Sequence, residues 1–283
     1  MKLLSILKCS VYINILFLLG GALPFKAIAQ GNLLVTPARV IFEGQKKMQE
    51  LNLANTGRDS ARYLISMIEI RMNEDGTFDK ITEPDSGQHF ASDHLRFFPR
   101  NITLGPNEAQ SVKVQLTKIS QLIPGEYRSH IYFRSVPDEK PLGDKSIKSD
   151  DAGISVKLVP VFGITIPIII HVGETTANVN FSDLAFAVGD DMQPRINMVF
   201  NRTGNASVYG DITVDYISTG GKISRVGTVN GIAVYTPNIK RQFHVNLIKK
   251  QGIDYSKGTL RITYTTKKEN KAVQLTQAEL ILK

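Results

Sequence analysis

Residues 154–170 read ISVKLVPVFGITIPIII, and every even position is apolar: Ile154, Val156, Leu158, Pro160, Phe162, Ile164, Ile166, Ile168 and Ile170. A helix of 3.6 residues per turn would scatter these side chains around its surface. A strand turns alternate side chains to opposite faces and gathers them on one. The stretch therefore reads as a β-strand, and a long one beside the usual length of roughly 5–6 residues. Its odd positions begin polar, at Ser155 and Lys157, and turn apolar toward the end. Residues 164–170, apolar on both faces, read as a buried strand of the chain's own core. Residues 154–162 are apolar on one face and read as an edge, and a long apolar edge is an aggregation hazard unless something covers it. The polar stretch DEKPLGDKSIKSDDAG before it reads as a long loop.

The same period of two recurs along the chain in short runs punctuated by Gly, Asn, Asp and Pro. RVIFEG, LNLANTG, RYLISMIEI, SVKVQL and YRSHIYFRSV lie before residue 140; RINMVFN, DITVDYI, FHVNLI, LRITYT and AELILK lie after residue 175. Helical periodicity is nearly absent. This predicts an all-β chain of sandwiches rather than an α/β one. A weak repeat divides it. NTG at 55–57 matches NRTGN at 201–205, and GEYRSHIYF at 125–133 matches GTLRITY at 258–264. In both copies of the second pair an apolar or aromatic residue stands two after the glycine (Tyr127, Leu260), as in the penultimate strand of an immunoglobulin-like sandwich. The expected organisation is two Ig-like β-sandwich domains in tandem, residues 30–172 and 173–283, joined by the short HVGETT segment.

Residues 1–29 read as a secretory signal peptide. Lys2 and Lys8 precede or flank an apolar run from Val11 to Leu23, and Ala27-Ile28-Ala29 supplies an A-x-A cleavage site. The run is short for a membrane span. Cleavage would leave about 250 residues, enough for one or two domains. It would also remove Cys9, the one cysteine of the chain, and lower the formal charge from +8 to +5 by taking Lys2, Lys8 and Lys26. An exported chain without disulfides must rest on its hydrophobic cores. No later segment is long and apolar enough for stable membrane insertion. No basic block with interleaved aromatics points to nucleic acid.

Chemistry-bearing motifs are missing. His89, His94, His130, His171 and His244 form no metal-ligand spacing, and there is no nucleophile elbow or glycine-rich phosphate loop. His130 sits in an alternating strand and is expected to face solvent. Asp190-Asp191 after Gly189 reads as a hairpin turn rather than a cation site. The expectation is a protein with no catalytic residues, no metal and no cofactor.

The segment PARVIFEGQKKMQELNLANTG, 37–57, resembles the opening of the periplasmic pilus-assembly chaperones, the PapD-like family, with Arg39, Phe42, Glu43 and Gly44 in the family's positions. FFPRNITLGPNEAQSVKVQL, 97–116, is similar to its proline-rich segment, and PGEYRSHIYFRSVP, 124–137, to its sixth strand. The resemblance implies a non-enzymatic chaperone in the periplasm. Such a chaperone lends the long last strand of its first domain to secreted pilus or fimbrial subunits that lack a strand, and hands them to an outer-membrane usher. It implies Ile154, Val156, Leu158, Pro160 and Phe162 as the client-facing donor residues. It further implies that Arg39 anchors the client's C-terminal carboxylate, a task suited to a planar guanidinium. The family places a lysine beside that arginine; here Thr165 or Pro167 stands instead. Three outcomes stay open: Arg39 clamps alone, Thr165 adds a hydrogen bond, or anchoring is weakened. The competing reading is a structural or adhesive Ig-like surface protein. Such a subunit would carry an alternating N-terminal extension, whereas QGNLLVTPARV runs straight into the first strand.

Overall fold

A computed structural model describes residues 32–118, 120, 122–137, 161–250, 252–268 and 271–283. The expected signal peptide lies outside the described residues, as do the donor positions Ile154, Val156, Leu158 and Pro160. The described chain is built of strands: β1 (Leu33–Thr36), β2 (Val40–Phe42), β3 (Met48–Asn55), β4 (Ala61–Met72), β5 (Phe78–Ile81), β6 (Leu95–Phe98), β7 (Asn101–Leu104), β8 (Ala109–Leu116), β9 (Gly125–Val136) and β10 (Gly163–Val172), followed by β11 (Ala177–Val188), β12 (Pro194–Gly204), β13 (Val208–Ile217), β14 (Ile223–Val234), β15 (Lys240–Asn246), β16 (Gly258–Lys268) and β17 (Lys271–Leu282).

They make two sandwiches. In the first, a sheet ordered β1-β3-β8-β6 faces a sheet ordered β2-β10-β9-β4, with β7 and β5 on the far edge of β4. The alternation seen in the sequence fills the space between them. Leu51, Leu53, Val112 and Val114 come from one sheet; Ile131, Phe133, Ile168 and Ile170 come from the other. Each is fully buried or nearly so. At about 1.5–3 kcal/mol per large apolar side chain, such layers carry the stability a disulfide would otherwise supply. In the second, β11-β12-β15 faces β14-β13-β16-β17 around Ile196, Phe200, Ile212, Val214, Ile262 and Tyr264. The repeat read from the sequence falls at equivalent places. Gly125 opens β9 and Gly258 opens β16, each with positive φ and each in the last-but-one described strand of its sandwich. Asp190-Asp191 lies in the turn from β11 to β12, where Asp191 Oδ1 accepts the Gln193 N–H.

Two strands depart from simple alternation, and both bear on function. β9 is buried on both faces from Gly125 to Ile131. Its odd residues enter the core of the first sandwich, while Glu126, Arg128 and His130 line the opposite face, which the second sandwich covers. β10 is buried on both faces from Ile166 to Ile170 for the same reason. The expectation of a buried strand over 164–170 holds for this part. The solvent-facing His130 does not: it is 3% exposed. Period-two reasoning fixes which residues share a face, not whether water or a second domain meets that face.

Candidate functional site

β10 is unevenly partnered. It pairs antiparallel with β9 over its whole length, Gly163–Val172, but parallel with β2 only at Ile168–Ile170. The Ser135 N–H donates to the Phe162 carbonyl at 2.8 Å. Residues of an antiparallel pair exchange backbone bonds at alternate positions. The even residues of β10 therefore spend their N–H and C=O groups on β9, and the odd ones point them the other way. Among the described residues nothing pairs with Gly163, Thr165 or Pro167 on that second side. Gly163 and Thr165 offer a full donor and acceptor set there; Pro167 offers only a carbonyl. The strand emerges past this edge at Phe162 and Val161, 43% and 44% exposed. Gly163 is required by its neighbour: a Cβ there would strike the Tyr132 ring.

The side chains of Thr165 and Pro167 line a cavity. The cleft face carries a ladder in which Thr165 stands opposite Tyr132, Pro167 opposite His130, Ile169 opposite Arg128 and His171 opposite Glu126. Continuing the β2 register by one residue sets Arg39 level with Pro167. Arg39, Thr165, Pro167 and His130 line one side of a cavity of about 450 Å³; Tyr209, Ala233, Tyr235 and Arg241 of the second sandwich line the other. The structure thus brings Arg39 and Thr165 to one place. It leaves Phe162 at the outer end of the same strand.

Arg39 is held rather than loose. Its Nη2 donates to the Tyr235 hydroxyl at 3.2 Å, and its guanidinium lies over the Tyr209 ring, 3.4 Å from the centroid. Behind it, Arg128 stacks on Tyr235 at 4.1 Å and is almost wholly buried. Burial pushes the Arg128 guanidinium below its ordinary value, although Glu126 opposes this. Burial together with Arg128 and Arg39 drives the His130 imidazole down to about 3, so it is neutral at physiological pH. The wall is cationic, and the cavity lining includes no carboxylate.

The two sandwiches are tied beside this cavity. Glu126 Oε2 accepts the Ser207 N–H at 2.7 Å; Oε1 accepts the Ser207 hydroxyl and, at 3.2 Å, that of Thr236. Burial alone would raise this carboxyl, but bonds from His171 and Ser207 outweigh it and hold it below its ordinary value. His171 bridges Glu43 at 2.8 Å and Glu126 at 3.5 Å; burial lowers its imidazole, and the two carboxylates more than reverse this. The turn after β4 adds a Gln242 N–H to Glu74 carbonyl bond of 2.6 Å and an Asn238 side-chain bond to the Met72 carbonyl of 2.7 Å. Met72, Ile169, Ala233 and Tyr235 form an apolar cluster between them. Sequence reasoning reached Arg39 and Thr165 but missed Glu126, Arg128, Tyr209, Tyr235 and Arg241. The one available signal was the polar row Glu126, Arg128, His130 at period two, which also fits a solvent face.

No family model and no curated protein matches the sequence. Among the described residues no helix is long and apolar enough to cross a membrane. Similar solved structures include the CupB2 chaperone of Pseudomonas aeruginosa, with TM-score 0.45 and 11% identity over 88% of this chain and 100% of that one. They also include the YadV chaperone, with TM-score 0.44 and 12% identity over 89% and 100%. A third is the chaperone–tip adhesion subunit pre-assembly complex CsuC–CsuE of Acinetobacter baumannii, with TM-score 0.44 and 11% identity over 87% and 99%. At these identities the role of this chain rests on its own residues.

Proposed function

We propose that this protein is a periplasmic chaperone that completes unfinished Ig-like pilus or fimbrial subunits by lending them the upstream part of β10, and delivers them to an outer-membrane usher. The observation that carries the reading is the half-open edge of β10, beside a cavity whose described lining holds Arg39 and Arg241 and no carboxylate. A sandwich lacking one strand exposes its core and two rows of backbone groups. An added strand satisfies those rows, and its alternate side chains fill the gap. Gly163 and Thr165 supply the backbone groups at the described end. Phe162, with Ile154, Val156, Leu158 and Pro160 upstream, supplies the plugging side chains.

The direction of the incoming strand follows from charge. A strand laid parallel to β10, as β2 is, reaches Pro167 with its C-terminus and brings a carboxylate to Arg39. A strand laid the other way would bring an ammonium group there. The cationic wall favours the first. Arg39 anchors that carboxylate, and Thr165, on the same cavity wall, adds a hydroxyl donor. The ties through Glu126 and the apolar cluster favour one fixed cleft rather than a hinge.

Co-expression with secreted subunits lacking a final strand tests the reading. A 1:1 complex recovered with the wild type, and lost with Phe162→Glu at equal chaperone level, is the expected result. Equal recovery with both would overturn it.

A further inference from the structure

We propose that Tyr132, laid across Gly163 of β10, is a specificity residue: it admits short hydroxyl side chains, Ser or Thr, on the outward face of a client's last strand and disfavours bulky apolar ones. This rests on the strand-donation reading above and names the client chemistry that the donor edge selects. Gly163 does not lie in the left-handed region, so its backbone does not call for glycine. Space does: a Cβ at Gly163 would strike the Tyr132 ring at Cε2 and sit 2.5 Å from its hydroxyl. Tyr132 of β9 stands opposite Thr165, so its ring leans upstream along the cleft face and ends over Gly163. Arg134, directly opposite Gly163, is exposed and leaves that spot to the ring. An aromatic ring laid over a glycine at a sheet edge covers backbone that would otherwise stand bare.

What the ring tip meets next follows from the open edge. β9 lies on one side of β10, and on the other nothing among the described residues pairs with Gly163 or Thr165. A strand added there runs about 4.8 Å away, so a client Cβ level with Gly163 starts about 5 Å from the spot that the ring tip fills. In a parallel pair, level residues share a face, as Arg39 and Pro167 do on the cavity wall. The client side chain level with Gly163 therefore points to the cleft face and meets the tip of Tyr132. Among the described residues the Tyr132 hydroxyl has no hydrogen bond. Thr165, two residues on, adds a second hydroxyl on this face. A Ser or Thr of the client can bond to these groups. A Leu or Phe would take water from them and return no bond, which is how a polar site rejects an apolar side chain.

The test co-expresses the whole protein with a secreted subunit lacking its final strand, in two versions distinguishable by mass. One carries threonine and the other leucine at the two outward-facing positions nearest its C-terminus, which the parallel direction sets beside Gly163 and Thr165. Mass spectrometry of the purified 1:1 complexes reads the ratio captured. The wild type should favour the threonine version by roughly two- to tenfold, the worth of one hydrogen bond. Tyr132→Phe, which loses only the hydroxyl, should bring the ratio close to one by losing the threonine version. Gly163→Ala, which pushes the ring tip aside, should do the same. A purely structural role for Tyr132 would lower both versions alike and keep the ratio; that result would overturn the proposal and leave strand donation standing. A wild-type ratio near one would do so too. Capture of neither version by the wild type would overturn strand donation itself. Should one variant not fold, the other decides.

Discussion

His130 is the side chain whose environment departs furthest from what its strand implied, and acid should expose the difference. Its imidazole is held neutral down to about 3 against an ordinary 6.5, by burial and by Arg128 and Arg39. Below pH 6.5 the unfolded chain therefore binds a proton that the native chain does not. Stability must fall with acidification over that window, by up to about 1.4 kcal/mol per pH unit for one proton. Between pH 6.5 and about pH 4.5 the ceiling is about 2.3 kcal/mol, since the unfolded imidazole is already half protonated at pH 6.5. His171 acts oppositely. Its raised value means its contribution is fully present below 6.5 and is lost as pH rises through the folded value. Glu126, held low, contributes stability that is present above 4.5 and is lost in stronger acid. His130→Phe isolates the term, since a ring in the same slot still meets Tyr235 edge-on but cannot titrate. Urea unfolding of both proteins at pH 6.5 and pH 4.5 should show the variant gaining up to about 2.3 kcal/mol on the wild type. Parallel pH curves, or an NMR titration of His130 well above its folded value, would refute the reasoning.

Arg39→Ala should leave the fold intact and weaken client capture by about 1.5–3 kcal/mol, the loss of one charge-assisted contact, read as client recovered from periplasm at equal chaperone level. Glu126→Ala should destabilise by about 3–5 kcal/mol, because it removes the nearer counter-charge of the buried Arg128 and leaves only Glu69; a change in urea midpoint worth less than about 1 kcal/mol would contradict this. Phe162→Glu should unfold within a few degrees of the wild type, since Phe162 lies outside the core cluster; a variant that fails to fold would make Phe162 part of the protein's own core.

Most of the sandwich architecture was legible because burial follows period two. β12, β13 and β16 carry inward residues at every second position over most of their length, and the paired glycines of β9 and β16 mark the repeat. β14 was not legible. Its burial runs in blocks, and its register slips twice against β13, so no single period describes it. β5, β6 and β7 have four residues each, too few to show a period. The site was half legible. Arg39 and Thr165 stand in or beside strands that could be read. Tyr209, Tyr235 and Arg241 reach the cavity only because two sandwiches dock, and no local pattern encodes that docking.

The central claim is that β10 keeps its outer upstream edge free until a client takes it. Amide hydrogen exchange at single residues measures this directly, in the free protein and in a complex made by co-expression with a subunit lacking its final strand. In the free protein, Ile164, Ile166 and Ile168 should exchange slowly, being bonded to β9, while Gly163 and Thr165 exchange fast. In the complex, Gly163 and Thr165 should become as slow as their neighbours. Slow exchange at Thr165 in the free protein, or unchanged fast exchange in the complex, would contradict strand donation at this edge.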